Sequence, residues 1–128
     1  MTSHTILVLV YIAFSWLLTL HALEEIASGV IGLKVGPITL TRTRYTLATS
    51  GITTVNLGVL ALIVLGIPAG YWLGLFTTGL FGVWQGLVHT FGYFRSGRST
   101  HGLGVGFYSS IPLALAGALA FYLLLGAL

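Results

Sequence analysis

The sequence has 128 residues, of which 56% are hydrophobic and only 5% are charged. A soluble domain carries about 25% charged residues, so this composition excludes a soluble globular protein and indicates an integral membrane protein whose partners include membrane lipids. The absence of cysteine excludes disulfides, iron–sulfur clusters and thiol catalysis. A net charge of +3 is too small for a nucleic-acid-binding face, so no nucleic-acid partner is expected.

Four apolar stretches predict four membrane-spanning helices, because a span needs about 20 apolar residues. The predicted spans are 5–27, 46–67, 71–93 and 101–127, with connectors at 28–45 and 94–100. The first stretch lacks the basic start and small-residue cleavage site of a signal peptide, so it is expected to be retained. The predicted fold class is therefore all-α, a single polytopic domain forming a four-helix transmembrane bundle over residues 1–128.

The first connector is rich in glycine, and residues 38–44 alternate apolar with polar side chains. Such alternation predicts a short extended segment or a hairpin lying at the membrane interface. The segment is either a lid over the helix ends or a solvated connector, and the connector is the favoured interpretation.

The basic residues predict the orientation of the chain. Lys34, Arg42 and Arg44 lie in the first connector, and Arg95 and Arg98 lie in the second. With four spans, both connectors are on one side of the membrane, which the positive-inside rule assigns to the cytoplasm. We therefore expect a multi-pass protein of the cell membrane with both termini outside. Arg95 and Arg98 are expected to anchor headgroups or to clamp an anionic group.

The run His21-Ala-Leu-Glu24-Glu25 holds the only acidic residues of the chain, at the end of the first span. Ionisable residues inside a membrane are costly and are functional candidates by default. Residues three and four apart on a helix share a face, so His21 can line up with Glu24, with Glu25 or with both. His89 and His101 are predicted at the same cytoplasmic depth, from the third and fourth spans.

These residues predict a metal site with His21, Glu25, His89 and His101 as ligands, because imidazole and carboxylate suit Zn or Fe. Glu24 and Glu25 are the predicted catalytic carboxylates, one of them acting as general base toward a metal-bound water.

Three further residues, Asn56, Gln85 and Tyr108, are predicted to support the site, because helical periodicity turns them toward the same interior. The alternatives are that Asn56 joins helices, that His89 is a hydrogen-bonded interior histidine and that His101 is solvated. The two glutamates have an alternative of their own, which is to pair with interfacial arginines.

The His21-Ala-Leu-Glu24-Glu25 run resembles the motif that names the HXXEE proteins, small membrane proteins of bacteria and archaea. Asn56, His89 and the turn Gly97-Arg98-Ser99-Thr100 resemble further features of that family, although Ser96-Gly97 stands where the family usually has Pro-Gly. The resemblance implies a site at these residues but no particular reaction, because the family has no established activity to carry over.

The favoured function is an intramembrane metal-dependent enzyme, a hydrolase or an oxidoreductase, acting on a lipophilic small-molecule substrate. The first alternative is an ion or proton carrier that uses the same polar cluster. The second is a non-catalytic accessory subunit or a binder of haem or pigment. Glycine-rich helix faces also favour a homo-oligomer.

Overall fold

The computed structural model describes residues 2–128, the side chain of Leu103 excepted. Most of its described residues are helical, which confirms the all-α prediction. In chain order the elements are α1 (Ser3–Ala27), β1 (Lys34–Val35), β2 (Ile38–Thr39), α2 (Arg42–Val64), α3 (Pro68–Thr78), a π-helical segment (Gly79–Trp84), α4 (Gln85–Arg95), a 3-10 turn (Gly102–Gly104) and α5 (Phe107–Leu125).

Three of these helices, α1, α2 and α5, are long and apolar enough to cross a membrane. This agrees with the predicted membrane location. Between α2 and α5, the chain is helical without interruption from Pro68 to Arg95, but its hydrogen bonding changes to the π pattern at Gly79–Trp84. α3 and α4 are therefore eleven residues each, which is shorter than a span.

The second helix begins earlier than predicted, at Arg42 rather than near residue 46. The reason is a cap: the Thr41 hydroxyl accepts a hydrogen bond from the backbone N–H of Arg44 at 3.3 Å. The extended segment consequently ends at Thr39, and the predicted alternation through Arg44 does not continue as a strand.

The first connector forms the predicted hairpin. Its two strands are antiparallel, with Lys34 opposite Thr39 and Val35 opposite Ile38. On either side of the strands, Leu33 and Leu40 pack against a small apolar cluster made of Val30, Tyr45 and Val105. The hairpin is thus held against the end of the helices, where α1 stops and α2 starts.

The last helix begins later than predicted, at Phe107 instead of residue 101. Residues 98–106 instead form a turn that includes Arg98 and Gly106, both with positive φ, of 65° and 76° respectively. Gly106 is the residue that caps α5, and its left-handed conformation lets the chain turn into the helix.

Small residues set the distance between α5 and the helical stretch before it. A Cβ placed on Gly82 would lie 2.8 Å from the Cα of Gly117, and one on Gly86 would lie 2.4 Å from the Cβ of Ala114. Such close contacts between small residues are typical of helix packing in membranes. The close approach fixes α4, and with it His89, against α5.

Candidate metal centre

Two ligand candidates lie one turn apart near the end of α1. His21 and Glu25 share a helix face, and the side chain of His21 is buried, at 2% exposure. α4 supplies the third, His89, which is also buried. Glu25 Oε1 is 3.8 Å from His21 Nε2 and 3.4 Å from His89 Nε2. One ligand atom from each of the three residues falls within 4.8 Å of the other two.

These distances match the geometry of a bound transition metal. Metal–ligand bonds to nitrogen and oxygen are about 2.0–2.1 Å, so two ligands of a tetrahedral ion lie about 3.4 Å apart. The His89–Glu25 separation already has this value, and the His21–Glu25 separation of 3.8 Å exceeds it by a few tenths of an ångström. The two histidine ligand atoms lie within 4.8 Å of each other, so side chains would have to rotate to bring the three atoms around one ion.

Gln85 lies one turn before His89 and contacts both histidines. Its Nε2 atom is 2.8 Å from His89 Nε2 and 3.3 Å from His21 Nε2. An amide nitrogen only donates, so both ring nitrogens act as acceptors and carry no proton there. That is the form of imidazole that binds a metal. The structure thus places Gln85 within hydrogen-bond distance of both imidazoles, and its supporting role stays a prediction.

A second layer of groups orients two of the ligands. His21 Nδ1 is 2.9 Å from the Ser109 hydroxyl oxygen. The Tyr45 hydroxyl donates to Glu25 Oε2 at 2.6 Å and also contacts the Ala22 carbonyl at 3.1 Å. Such outer partners fix the orientation of metal ligands and raise their affinity. Oε2 of Glu25 is thereby engaged, and Oε1 is the oxygen that faces the histidines.

The third ligand candidate is less constrained. His89 Nδ1 is buried and has no partner with hydrogen-bond geometry, although the backbone of Val105 lies beside the ring. The two histidine rings meet edge to face, with their centroids 4.7 Å apart. The Gln85 amide on Nε2 and packing against the His21 ring hold His89 in place.

Tyr45 and Ser109 were not among the predicted site residues. The second span was predicted from residue 46, which left Tyr45 in the connector. Ser109 lies in the first turn of α5, whose start was predicted six residues too early, at residue 101. A capping signal at Thr41 was the feature of the sequence that pointed to Tyr45, since it puts this tyrosine in the first turn of α2.

Gly106 closes the centre on the α5 side. A Cβ at this position would lie 2.8 Å from His21 Cε1, 2.9 Å from Glu25 Cγ and 3.3 Å from His89 Cε1. The backbone therefore approaches all three ligand candidates more closely than any other residue type permits. Together with the positive φ, this makes glycine a steric requirement of the cluster.

Glu24 has a different role from the predicted catalytic one. Its carboxylate accepts hydrogen bonds from the backbone N–H groups of Tyr108 at 3.2 Å and Ser109 at 2.7 Å. These are unpaired donors in the first turn of α5, where a negative charge also meets the positive end of the helix dipole. Glu24 is thus a helix cap contributed by another helix, and both of its oxygens are engaged.

The remaining predicted site residues lie outside this cluster. His101 is exposed, and its Nδ1 is 3.2 Å from the Ser28 carbonyl oxygen, so the structure does not bring it to the other three ligands. The Tyr108 ring is exposed, and only its backbone contributes, to Glu24. Arg95 and Arg98 are also exposed. Within residues 2–128, the carboxylates contact histidines, Tyr45 and backbone amides, and no arginine pairs with them.

Asn56 belongs to a separate buried network. It accepts a hydrogen bond from the Tyr11 hydroxyl at 2.9 Å and donates to Ser15 at 2.8 Å, while the Tyr11 oxygen lies 2.7 Å from that of Thr77. The network joins α1, α2 and α3. Its geometry agrees with the interpretation of Asn56 as a helix-joining residue.

A cavity of about 110 Å³ adjoins the cluster between α1, α2 and the π-helical segment. His21, Glu25 and Gln85 form its polar wall. This volume is well below the 300–1,000 Å³ of pockets for drug-sized ligands, but it has room for a few water molecules or a small chemical group.

The comparisons with known proteins identify no relative of this chain. No protein-family model matches the chain, and neither a curated protein nor a solved structure shows significant similarity to it.

Proposed function

We propose that this protein is an intramembrane metal-dependent enzyme in which His21, His89 and Glu25 bind one divalent ion, Zn or Fe. The observation that carries the proposal is the spacing of 3.4 and 3.8 Å between the half-buried Glu25 carboxylate and two buried histidines, next to a cavity. Two histidines and one carboxylate leave coordination positions open, as catalytic sites require. The tight approach of Gly106 supports a role beyond simple helix packing.

The ligand set serves both zinc hydrolases and non-haem Fe(II) oxidoreductases. A hydrolase would not require a separate base, because a bound ion would itself lower the pKa of a water on it. The chain has two acidic residues; Glu25 is a ligand in this proposal, and both oxygens of Glu24 accept backbone hydrogen bonds. Both reaction types therefore fit the proposal, with zinc or iron as the metal.

The same proposal includes a four-span topology. The helical stretch from Pro68 to Arg95 would be the third span, and the π pattern within it keeps the helix continuous. The basic connectors, and therefore the metal centre at the end of α1, would face the cytoplasm. Membership of the HXXEE family stays a proposal that rests on the His21 to Glu25 run.

Metal analysis of the purified protein tests the function. We expect about one iron or zinc per chain, and loss of that metal in His21→Ala, His89→Ala and Glu25→Gln. His101→Ala and His4→Ala are matched controls, because both histidines are exposed and lie outside the cluster. Metal-free wild-type protein after growth with added iron and zinc would contradict the proposal, as would equal metal content in all five variants.

A proton carrier is the second candidate, and Gln85 is the observation that favours it. Its amide contacts both histidines and so satisfies their Nε2 atoms without a metal, next to the carboxylate of Glu25. Proton uptake into liposomes, driven by a potassium diffusion potential, tests this function. Uptake that is lost in Glu25→Gln and kept in Glu24→Gln would favour the carrier over the enzyme.

The geometry gives no support to a haem or pigment. The two imidazoles are 4.7 Å apart and edge to face, so a porphyrin cannot lie between them. The adjoining cavity of about 110 Å³ is also too small for such a ring.

A further inference from the structure

A groove runs along the surface between α1 and α2 and meets the cavity of the metal centre. The groove has a volume of about 390 Å³ and shares Ala22, Thr49 and Thr53 with the lining of the cavity. Further from the centre, a third depression continues it between Ser15 and Leu57. The cavity, the groove and the depression thus lie side by side along α1 and α2, and we call this series of spaces the path.

Hydroxyl groups line this path, although the surface around it is apolar. Several of them donate to carbonyls of their own helix, Thr19 to Ser15 at 3.2 Å and Thr54 to Ser50 at 2.8 Å. The donors are therefore satisfied within the protein, which lets the residues lie in a lipid environment. Their oxygens still offer lone pairs along the path, so it suits a molecule that is partly polar.

The length and position of the groove match one leaflet of a bilayer. From Ile26 to Ser15 it follows α1 for roughly 16 Å, at 1.5 Å per residue. This is about half of the 30 Å hydrocarbon core. One end lies beside the metal centre near the end of α1, and the other lies near the middle of that helix. A lipid of that leaflet has the same arrangement, with its head at the boundary and its chain toward the centre.

We propose that this groove binds a single-chain lipid whose small oxygen-bearing head reaches the cavity beside His21, Glu25 and Gln85. The inference rests on the proposed enzyme function, because the head is the group on which the metal centre would act. The cavity of about 110 Å³ admits an alcohol, aldehyde or carboxylate. It excludes a phospholipid headgroup, because its volume equals that of only a few water molecules.

Photolabelling in nanodiscs tests the proposal. The probe is a long-chain fatty alcohol that carries a diazirine in its chain, added to phosphatidylcholine nanodiscs that hold the full-length protein. We expect the label to map to residues 15–26 and 49–57. Thr53→Trp should reduce that labelling about tenfold, because Thr53 lines the cavity, the groove and the depression.

Val55→Trp is the matched control, since Val55 is 54% exposed on the same helix and lines none of the three spaces. Thr19→Trp blocks the groove from the α1 side and keeps the test valid if Thr53→Trp does not fold. Labelling that is spread evenly over the helices, or that the two blocking variants leave unchanged, would overturn the inference.

The other occupant of such a groove is a second copy of the chain. Because the sequence has no cysteine, a Thr54→Cys variant reports on this directly. Disulfide-linked dimers formed in the membrane in high yield, together with exclusion of the probe, would overturn the lipid proposal.

Metal content is measured in the same samples, so that the two proposals fail separately. Label in the groove of a metal-free protein would remove the enzyme function and leave the lipid site. Stoichiometric metal without label in the groove would remove the lipid site and leave the metal centre.

Discussion

Gly106 combines a left-handed backbone conformation with close contact to the candidate metal ligands. Its φ of +76° is unfavourable for other residues, and its missing side chain leaves room for His21 and Glu25. Gly102 also has a positive φ, of +62°, but a Cβ placed there would meet nothing within 4 Å. Comparing substitutions at the two positions therefore separates the free-energy cost of the left-handed backbone from the cost of crowding the ligand side chains.

We predict that Gly106→Ala loses metal binding, whereas Gly102→Ala keeps it. Both variants should lose about 1 kcal/mol of stability from the left-handed backbone. Only the first places a methyl group against the ligands. Elemental analysis and thermal unfolding of the two purified variants measure the difference. Equal metal content in both would show that Gly106 does not shape the centre.

Substitutions of the two adjacent glutamates should also have separate effects, one on stability and the other on metal binding, and this gives a second prediction. Glu24→Gln should lower stability by about 1 kcal/mol, because α5 loses a charged cap, and should leave metal binding unchanged. Glu25→Gln should abolish metal binding, because it removes the anionic ligand. Metal content and thermal unfolding, measured side by side, check both statements. The prediction fails if Glu24→Gln loses the metal and remains fully stable.

Tyr45 gives a third prediction at this scale. Tyr45→Phe removes the hydroxyl that donates to Glu25 at 2.6 Å and should weaken metal binding about 10- to 100-fold, as the loss of an outer partner does. Tyr108→Phe is the control, because the Tyr108 ring is exposed. Competition with a chelator of known affinity measures both. Equal affinities in the two variants would argue against a role for the Tyr45 hydroxyl.

Among the elements, α5 and the helical stretch from Pro68 to Arg95 are packed most closely. Gly82 and Gly117 face each other at a separation that leaves no room for a side chain. In a membrane, where the hydrophobic effect does not draw helices together, such close packing is a main source of stability. By contrast, Gly58 on α2 has open space around it.

We predict that Gly82→Ala destabilises the protein by about 1–3 kcal/mol, the usual cost of overpacking. Gly58→Ala should be neutral or stabilising by up to about 1 kcal/mol, because alanine favours the helix. Unfolding in a detergent series reports both changes. A Gly82→Ala protein as stable as the wild type would mean that these helices can separate without cost.

The elements also show what the sequence could and could not predict. Apolar length was sufficient to find the helices, because a helix in lipid must be continuous and apolar. The ends were less certain, since they depend on caps. The residue that caps α2, Thr41, is next to that helix in the sequence. The first turn of α5, by contrast, is capped by Glu24, which is distant in sequence. The π-helical segment had no sequence signal at all.

The same distinction applies to the candidate centre. His21 and Glu25 were predictable as a pair because they lie on one helix, and the depth of His89 brought it to the same level. His101 was expected with them because its helix was placed six residues too early. Ser109 was missed for the same reason.

At the scale of the whole molecule, the proposed topology assigns every basic side chain to one side of the membrane. Single cysteines test it, because the chain has none of its own. We predict that a membrane-impermeant maleimide added to intact cells labels Leu128→Cys. It should label Val35→Cys only after the cells are opened. Both residues are exposed, and neither substitution alters the charge of a connector. The reverse pattern would place the metal centre on the outer side.

The pair Glu24 and Glu25 has a consequence for how the molecule is assembled. Glu24 binds the start of α5, and Glu25 binds Tyr45 at the start of α2, so adjacent side chains tie the first helix to the second and to the last. The later helix α4 supplies His89, and the last helix α5 supplies Ser109. A nascent chain that stops before α5 therefore has all three ligand candidates but lacks Ser109, the outer partner of His21. In the proposed enzyme, the outer layer of the metal centre would form only when the last helix inserts.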